Sequence, residues 1–146
     1  MTLALSTWEV SKQIAECLPG AVMETGDSAI LVDGEALAEV ASFLKDTSGL
    51  DFDYLSTITA VDYYAYFEVV YQFVSLQHNH TVVVKARCYG REDPTLPSLV
   101  PLYRSADHQE REIYDLMGIT FKGHPNMKRI VLWLDFQGHP QRKDFL

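Results

Sequence analysis

Apolar positions along the chain fall into patterns that each predict an element. Ser6-Thr7-Trp8-Glu9 has capping-box spacing, and Val10, Ile14, Cys17 and Leu18 then recur at helical intervals until Pro19-Gly20. A second helix follows Asp33-Gly34, with Leu37, Val40, Ala41 and Leu44 along one face and Ser48-Gly49 at its end. Between them, Ala21 to Thr25 and Ser28 to Val32 flank Gly26-Asp27, which reads as a tight hairpin turn. Tyr54 to Tyr64 and Tyr66 to Leu76 are rich in β-branched and aromatic residues. His80 to Tyr89 alternates, with Val82, Val84, Ala86 and Cys88 on one face and Lys85 and Arg87 on the other. Short connections between these three runs predict an antiparallel meander.

Pro94, Pro97 and Pro101 exclude a central strand or a helix interior and leave an extended or turning stretch. A third helix is predicted from Ser105 or Asp107 to Gly118, a residue suited to the left-handed conformation that ends helices. Beyond it no periodicity holds, apart from one apolar run, Ile130 to Leu134. The predicted fold class is α+β: a small α-β-β-α unit, an antiparallel sheet meander, one further helix and an extended C-terminal arm. It divides into a domain over residues 1–118, expected to contain the whole core, and a basic arm over residues 119–146.

Composition narrows the class. The 146 residues, 47% apolar and 22% charged, fit one globular domain and exclude disorder, collagen and coiled coil. No apolar run approaches the roughly 20 residues that span a bilayer, and the start lacks the pattern of a secretory signal. Cys17 and Cys88 stand alone, which suggests a reducing compartment and excludes a four-cysteine zinc or iron–sulfur site. Residues 1–76 hold 12 of the 20 acids and two of the 12 bases, whereas Lys122, Lys128, Arg129, Arg142 and Lys143 cluster near the end. That asymmetry reads as a binding tail or as the mildly basic end of a solvated acidic protein. With a pI near 4.9, nucleic acid is not an expected partner.

The chemistry concentrates in Asp107 to Gly118. On a helix, Glu110 shares a stripe with Ala106, Ile113 and Met117, where a carboxylate must be paired or shift its pKa. Arg129 or Lys128 from the arm are its expected partners. The pairing reads as an ion pair fixing the arm or, alternatively, as a general acid or proton relay. The arm also echoes itself fifteen residues apart: Gly123-His124-Pro125 precedes Lys128-Arg129, and Gly138-His139-Pro140 precedes Arg142-Lys143. These are two rigid turns, each presenting a cation pair, and the prolines hold His124 and His139 extended. His78-Asn79-His80 reads as a polar turn, because no His-x-x-x-His or Glu-x-x-His pattern supplies a third ligand. With no phosphate loop, nucleophile elbow or catalytic triad, the residues alone define an α+β domain with no visible active site.

Several words in order carry a resemblance. Glu110-Arg111-Glu112-x-Tyr114-Asp115-Leu116-Met117-Gly118-Ile119, then Phe121-x-Gly123-His124-Pro125-x-x-Lys128-Arg129-Ile130, then Gly138-His139-Pro140-x-Arg142-Lys143-Asp144-Phe145 resemble the signature of the C-type subunit family of respiratory complex I. Upstream, Asp62-Tyr63, Phe67-Glu68-Val69-Val70-Tyr71, Ser75-Leu76-x-His78-Asn79-His80 and Glu92-Asp93-Pro94-x-Leu96-Pro97-Ser98 fit the same family. The resemblance implies a non-catalytic subunit of the hydrophilic arm of a proton-translocating NADH (or ferredoxin):quinone oxidoreductase. FMN, iron–sulfur clusters and quinone are then held elsewhere in the complex, with no catalytic, metal or cofactor-binding residue here. The implied partners are the D-type subunit of the quinone site and its neighbours in the hydrophilic arm. They lie on the cytoplasmic face of the cell membrane or the matrix or stromal face of an organelle. Glu110, Arg111, Glu112, Asp115, His124, Pro125, Lys128, Arg129, His139, Arg142 and Lys143 are the implied interface or arm-fixing residues. The equivalent subunit of a membrane-bound hydrogenase complex is the alternative. The family commonly has Trp where His108 stands and a Pro-Asp-Asp-Trp-like word at Trp133-Leu134-Asp135-Phe136; many relatives continue where this chain reaches Leu146.

Overall fold

In the computed structural model, which describes residues 3–89, 92–133 and 137–143, strand β1 (Leu3–Ala4) leads into helix α1 (Thr7–Cys17). Leu134, Asp135, Phe136, Asp144 and Phe145, on which part of the motif reading falls, lie outside the described residues. Ser6 is the N-cap of α1, its hydroxyl accepting from the Glu9 N–H, and Val10 and Ile14 are buried. β2 (Val22–Thr25) and β3 (Ile30–Val32) form the expected antiparallel hairpin. Its turn, however, runs over Gly26 to Ala29 rather than two residues: the Gly26 N–H donates to the Ala29 carbonyl at 2.9 Å. The Thr7 hydroxyl donates to the Gly26 carbonyl at 2.5 Å, so contact with α1 helps set the turn. After a single 3-10 turn, Gly34–Ala36, helix α2 (Leu37–Asp46) buries Leu37, Val40, Ala41 and Leu44.

β4 (Tyr54–Asp62), β5 (Tyr66–Ser75) and β6 (His80–Tyr89) form the predicted meander. The strand order is β2-β3-β6-β5-β4, with β1 also parallel to β6. Hairpin and meander therefore share one sheet, joined by a parallel pair in which Ile30 faces Val84 and Val32 faces Ala86. The sheet buries one face. Ile30, Val32, Phe67, Val69, Tyr71, Phe73, Val82, Val84 and Ala86 join the apolar faces of α1 and α2 in one core.

The proline-rich stretch contains β7 (Thr95–Pro97) and leads into α3 (Ala106–Met117), after which β8 (Thr120–Lys122) pairs parallel with β7. α3 lies along the sheet edge. The Gln109 side-chain carbonyl accepts from the Ile58 N–H at 2.7 Å, and the Ser105 hydroxyl donates to the Leu55 carbonyl at 2.7 Å, so the edge strand is covered. The expectation that the core ends before Gly118 is corrected. Ile119 and Phe121 are 0% and 1% exposed, and Phe121 sits opposite Leu96 in the β7–β8 pair. A strand of three residues is too short to display an alternating pattern in sequence, so periodicity gives no sign of it.

Candidate functional site

An α-helix leaves its last four carbonyls without helical partners and carries partial negative charge at that end. α3 has no basic residue in its last turn. The following segment supplies what is missing. Arg129 Nη1 and His139 Nδ1 both reach the Asp115 carbonyl, at 3.0 and 2.9 Å. The Gln141 N–H donates to the Leu116 carbonyl at 2.9 Å, and Arg142 Nε donates to the Met117 carbonyl at 2.6 Å. Gly118 ends the helix at φ 79°, and a Cβ there would lie 2.7 Å from both His139 and Arg142. The glycine thus serves the close approach of the tail as well as the left-handed turn.

Asp115 is the centre of this arrangement. Although polar, it is fully buried, and Arg129 Nη1 donates to its Oδ1 at 2.5 Å. Its Oδ2 accepts three successive backbone N–H groups, from Ile130, Val131 and Leu132, at 3.2, 2.8 and 2.8 Å. Burial alone pushes the carboxyl pKa up. The Leu132 N–H, the Arg129 guanidinium and the Val131 and Ile130 N–H groups outweigh it and hold the pKa below the ordinary aspartate value. Asp115 is an ionised anchor that fixes the backbone of residues 130–132.

Glu110 makes a different set of bonds from the one expected of it. Neither Arg129 nor Lys128 reaches it; its carboxylate accepts from the Ser98 hydroxyl at 2.6 Å and the Leu99 N–H at 2.8 Å. The reason is angular, since residues 110 and 115 stand about 140° apart around a helix axis. Arg129 approaches on the Asp115 side. Lys128 contributes its carbonyl, to Arg111 Nε at 3.2 Å. Burial raises the Glu110 pKa from 4.5 to about 7, against the smaller lowering by Leu99 and Ser98. The folded carboxyl therefore holds its proton more tightly than the unfolded one. Its contribution to stability is full below pH 4.5 and is lost as pH rises through about 7. Replacing Glu110 by Gln should flatten that decline, which amounts to at most ~3 kcal/mol over the window. Urea titrations of both proteins at several pH values would read it; parallel slopes would contradict the assignment.

The remaining predicted residues divide. Arg111 Nη2 donates to the Arg129 carbonyl at 3.1 Å, holding the same segment as Asp115. His124 Nδ1 accepts from the Asn126 N–H at 2.9 Å, so Nε2 carries the proton and points at Asp107, whose carbonyl lies 3.1 Å and whose carboxylate lies 3.0 Å away. The first histidine turn thus braces the start of α3 and the second braces its end. Lys143 donates its backbone N–H to Asp62 at 2.9 Å, with its ammonium 5.4 Å from the Tyr64 ring centroid. Pro125 is exposed on its turn, and Glu112 is exposed at the rim of a groove of about 270 Å³ between α3 and β4. These two are not brought to the Asp115 cluster.

Two residues carry more than the sequence pattern showed. Asp62 is buried at 3% exposure and accepts from both the Lys143 and the Tyr64 N–H groups. Tyr64 takes a φ of 66°, uncommon for a bulky residue. The available signal was Asp62 two residues before Tyr64, the spacing of an Asx turn. Elsewhere, His78 Nε2 lies 2.8 Å from the Asp51 carboxylate and His80 Nε2 lies 2.9 Å from the Leu50 carbonyl. Among the described residues no three His, Cys, Asp or Glu side chains converge as a metal site. No described helix is long and apolar enough to cross a membrane.

Fold and site together define an α+β domain whose third helix is capped and clamped by the segment that follows it. The chain belongs to the family of the respiratory-chain NADH dehydrogenase 30 Kd subunit, whose family model matches residues 30–146. It is 42% identical over 123 residues to a subunit of the NADH-quinone oxidoreductase of Rhizobium meliloti, covering 82% of this chain and 66% of that protein. It is 39% identical to the mitochondrial NADH dehydrogenase [ubiquinone] iron-sulfur protein 3 of Candida albicans, covering 90% of this chain and 49% of that one. The chain thus spans about half to two thirds of the length of these curated relatives. Among solved structures, a chain of the membrane-bound sulfane sulfur reductase, an archaeal respiratory membrane complex, superposes with a TM-score of 0.76. That match is at 25% identity and covers 94% of this chain and 84% of that one.

Proposed function

We propose that this chain is a peripheral, non-catalytic subunit of a membrane-associated proton-translocating NADH (or ferredoxin):quinone oxidoreductase, in which it supports the D-type subunit at the quinone site. FMN, iron–sulfur clusters and quinone are held by its neighbours in the hydrophilic arm, at the cytoplasmic face or its organelle equivalent. The observation that carries this reading is Asp115: the buried carboxylate of the family signature has its bonds directed at the chain's own tail. Such a group builds a surface rather than meeting a substrate. Arg111, His139 and Arg142 serve the same end, and Glu110 anchors the proline-rich stretch at Ser98 and Leu99. The likeness to a chain of the sulfane sulfur reductase complex supports a second reading. In that reading the chain holds the equivalent place in another membrane-bound complex, such as a hydrogenase.

A tagged chain recovered from its native membranes in mild detergent tests both. It should bring down a relative of the D-type subunit within an iron-containing complex, while the isolated chain carries neither iron nor flavin. The electron-input subunits recovered with it decide between the two readings. Recovery of the chain alone, or with metal of its own, would overturn them.

A further inference from the structure

We propose that Ile130, Val131 and Trp133 form a preorganised docking spur that inserts into an apolar groove, rimmed by carboxylates, on a partner polypeptide. The inference rests on the functional reading above and deepens it by naming the contact. The three side chains are 38%, 58% and 67% exposed. Apolar side chains in a loose loop would carry little meaning, but this loop is rigidly held. Arg111 bonds the carbonyls of Lys128 and Arg129, and Asp115 bonds the N–H groups of Ile130, Val131 and Leu132. Arg129 closes the arrangement by bonding the Gly138 carbonyl at 2.8 Å.

Burying an ion pair carries a desolvation penalty of several kcal/mol per ion, so the pair is weak evidence for stability as such. What Asp115 and Arg129 do here is fix a backbone whose large apolar side chains face solvent. Fixing it beforehand removes most of the ordering cost that binding would otherwise incur. Tryptophan is also among the residues that most often dominate interface energies. The charge of the surroundings names the groove's rim. Arg129 is neutralised by Asp115, whereas Lys122 and Lys128 are exposed on the chain leading into the spur, so the matching rim is acidic.

The test uses the full chain in its native membranes with Val131→Asp and Trp133→Ala combined, and Leu76→Ala, at an exposed site elsewhere, as control. The double variant should lower the co-recovered partner by about tenfold or more while the thermal midpoint of the isolated chain stays unchanged. Leu76→Ala should leave both unchanged. Partner recovery at wild-type level with the double variant overturns the spur. So does a lowered midpoint, which would make the side chains structural, or binding of the isolated wild-type chain to anionic vesicles, which would make the spur a membrane contact. If the wild-type chain recovers no partner, the proposed function fails instead.

Discussion

Asp115→Asn should destabilise the folded chain by about 3–5 kcal/mol, the range seen when one partner of a buried ion pair is removed. The amide cannot balance the Arg129 charge, and its NH₂ group has no acceptor to meet among the N–H groups of Ile130, Val131 and Leu132. Against a typical stability of about 5–15 kcal/mol this is a large share. The loss should also be local. Residues 128–132 should detach from α3 before the sheet opens, because the bonds that hold them run to Arg111 and Asp115 on α3 rather than to the strands. Urea unfolding would read the global term. Amide exchange at Val131 and Leu132 would read the local one, and unchanged protection there would remove Asp115 from the role assigned to it.

Ending the chain after Gly118 should abolish stable folding, whereas ending it after Lys122 should leave a folded protein lacking only its tail. The difference is β8. Ile119 and Phe121 are buried, and deleting a buried isoleucine and a buried phenylalanine costs about 2–5 and 3–5 kcal/mol respectively. Loss of the strand also leaves the β7 edge unpaired and uncovers Leu96. The Lys122 ending keeps these contacts. It removes the caps on the last carbonyls of α3 and the partners of Asp115, but by taking away the segment that covers Asp115 it opens that carboxylate to water, so no buried charge is left unpaired. Soluble yield and circular dichroism of the two shortened chains separate the cases. A folded chain ending at Gly118 would show that the core is complete without β8.

Both expectations come from the same design. A helix that carries a buried aspartate near its C-terminus and no cation in its last turn is incomplete by itself. The histidine turns complete it from outside: the first braces Asp107, the second supplies His139, Gln141 and Arg142 to three successive carbonyls, and Arg129 bridges them. The repeated Gly-His-Pro words read from the sequence as rigid turns presenting cations. In the fold, Arg129 of one pair and Arg142 of the other turn inward to helix α3, and the outward face is left to Ile130, Val131 and Trp133.

Elements whose signal is local are legible along the chain. Ser6 and Glu9 place the start of α1, Leu37 to Leu44 show the buried face of α2, the alternation from Val82 to Cys88 gives β6 its sides, and Gly118 marks the end of α3. The same spacing puts Glu110 in an apolar stripe, where it is indeed buried. What each element meets is a property of the folded chain alone. The parallel β3–β6 pair, the burial of Phe121 against Leu96 and the choice of Asp115 over Glu110 as partner of Arg129 depend on how distant segments approach. Helical and strand periods are set by neighbours three or two residues away and so are written along the chain. Strand order and the direction from which an arginine reaches a helix are set by the path of the whole chain.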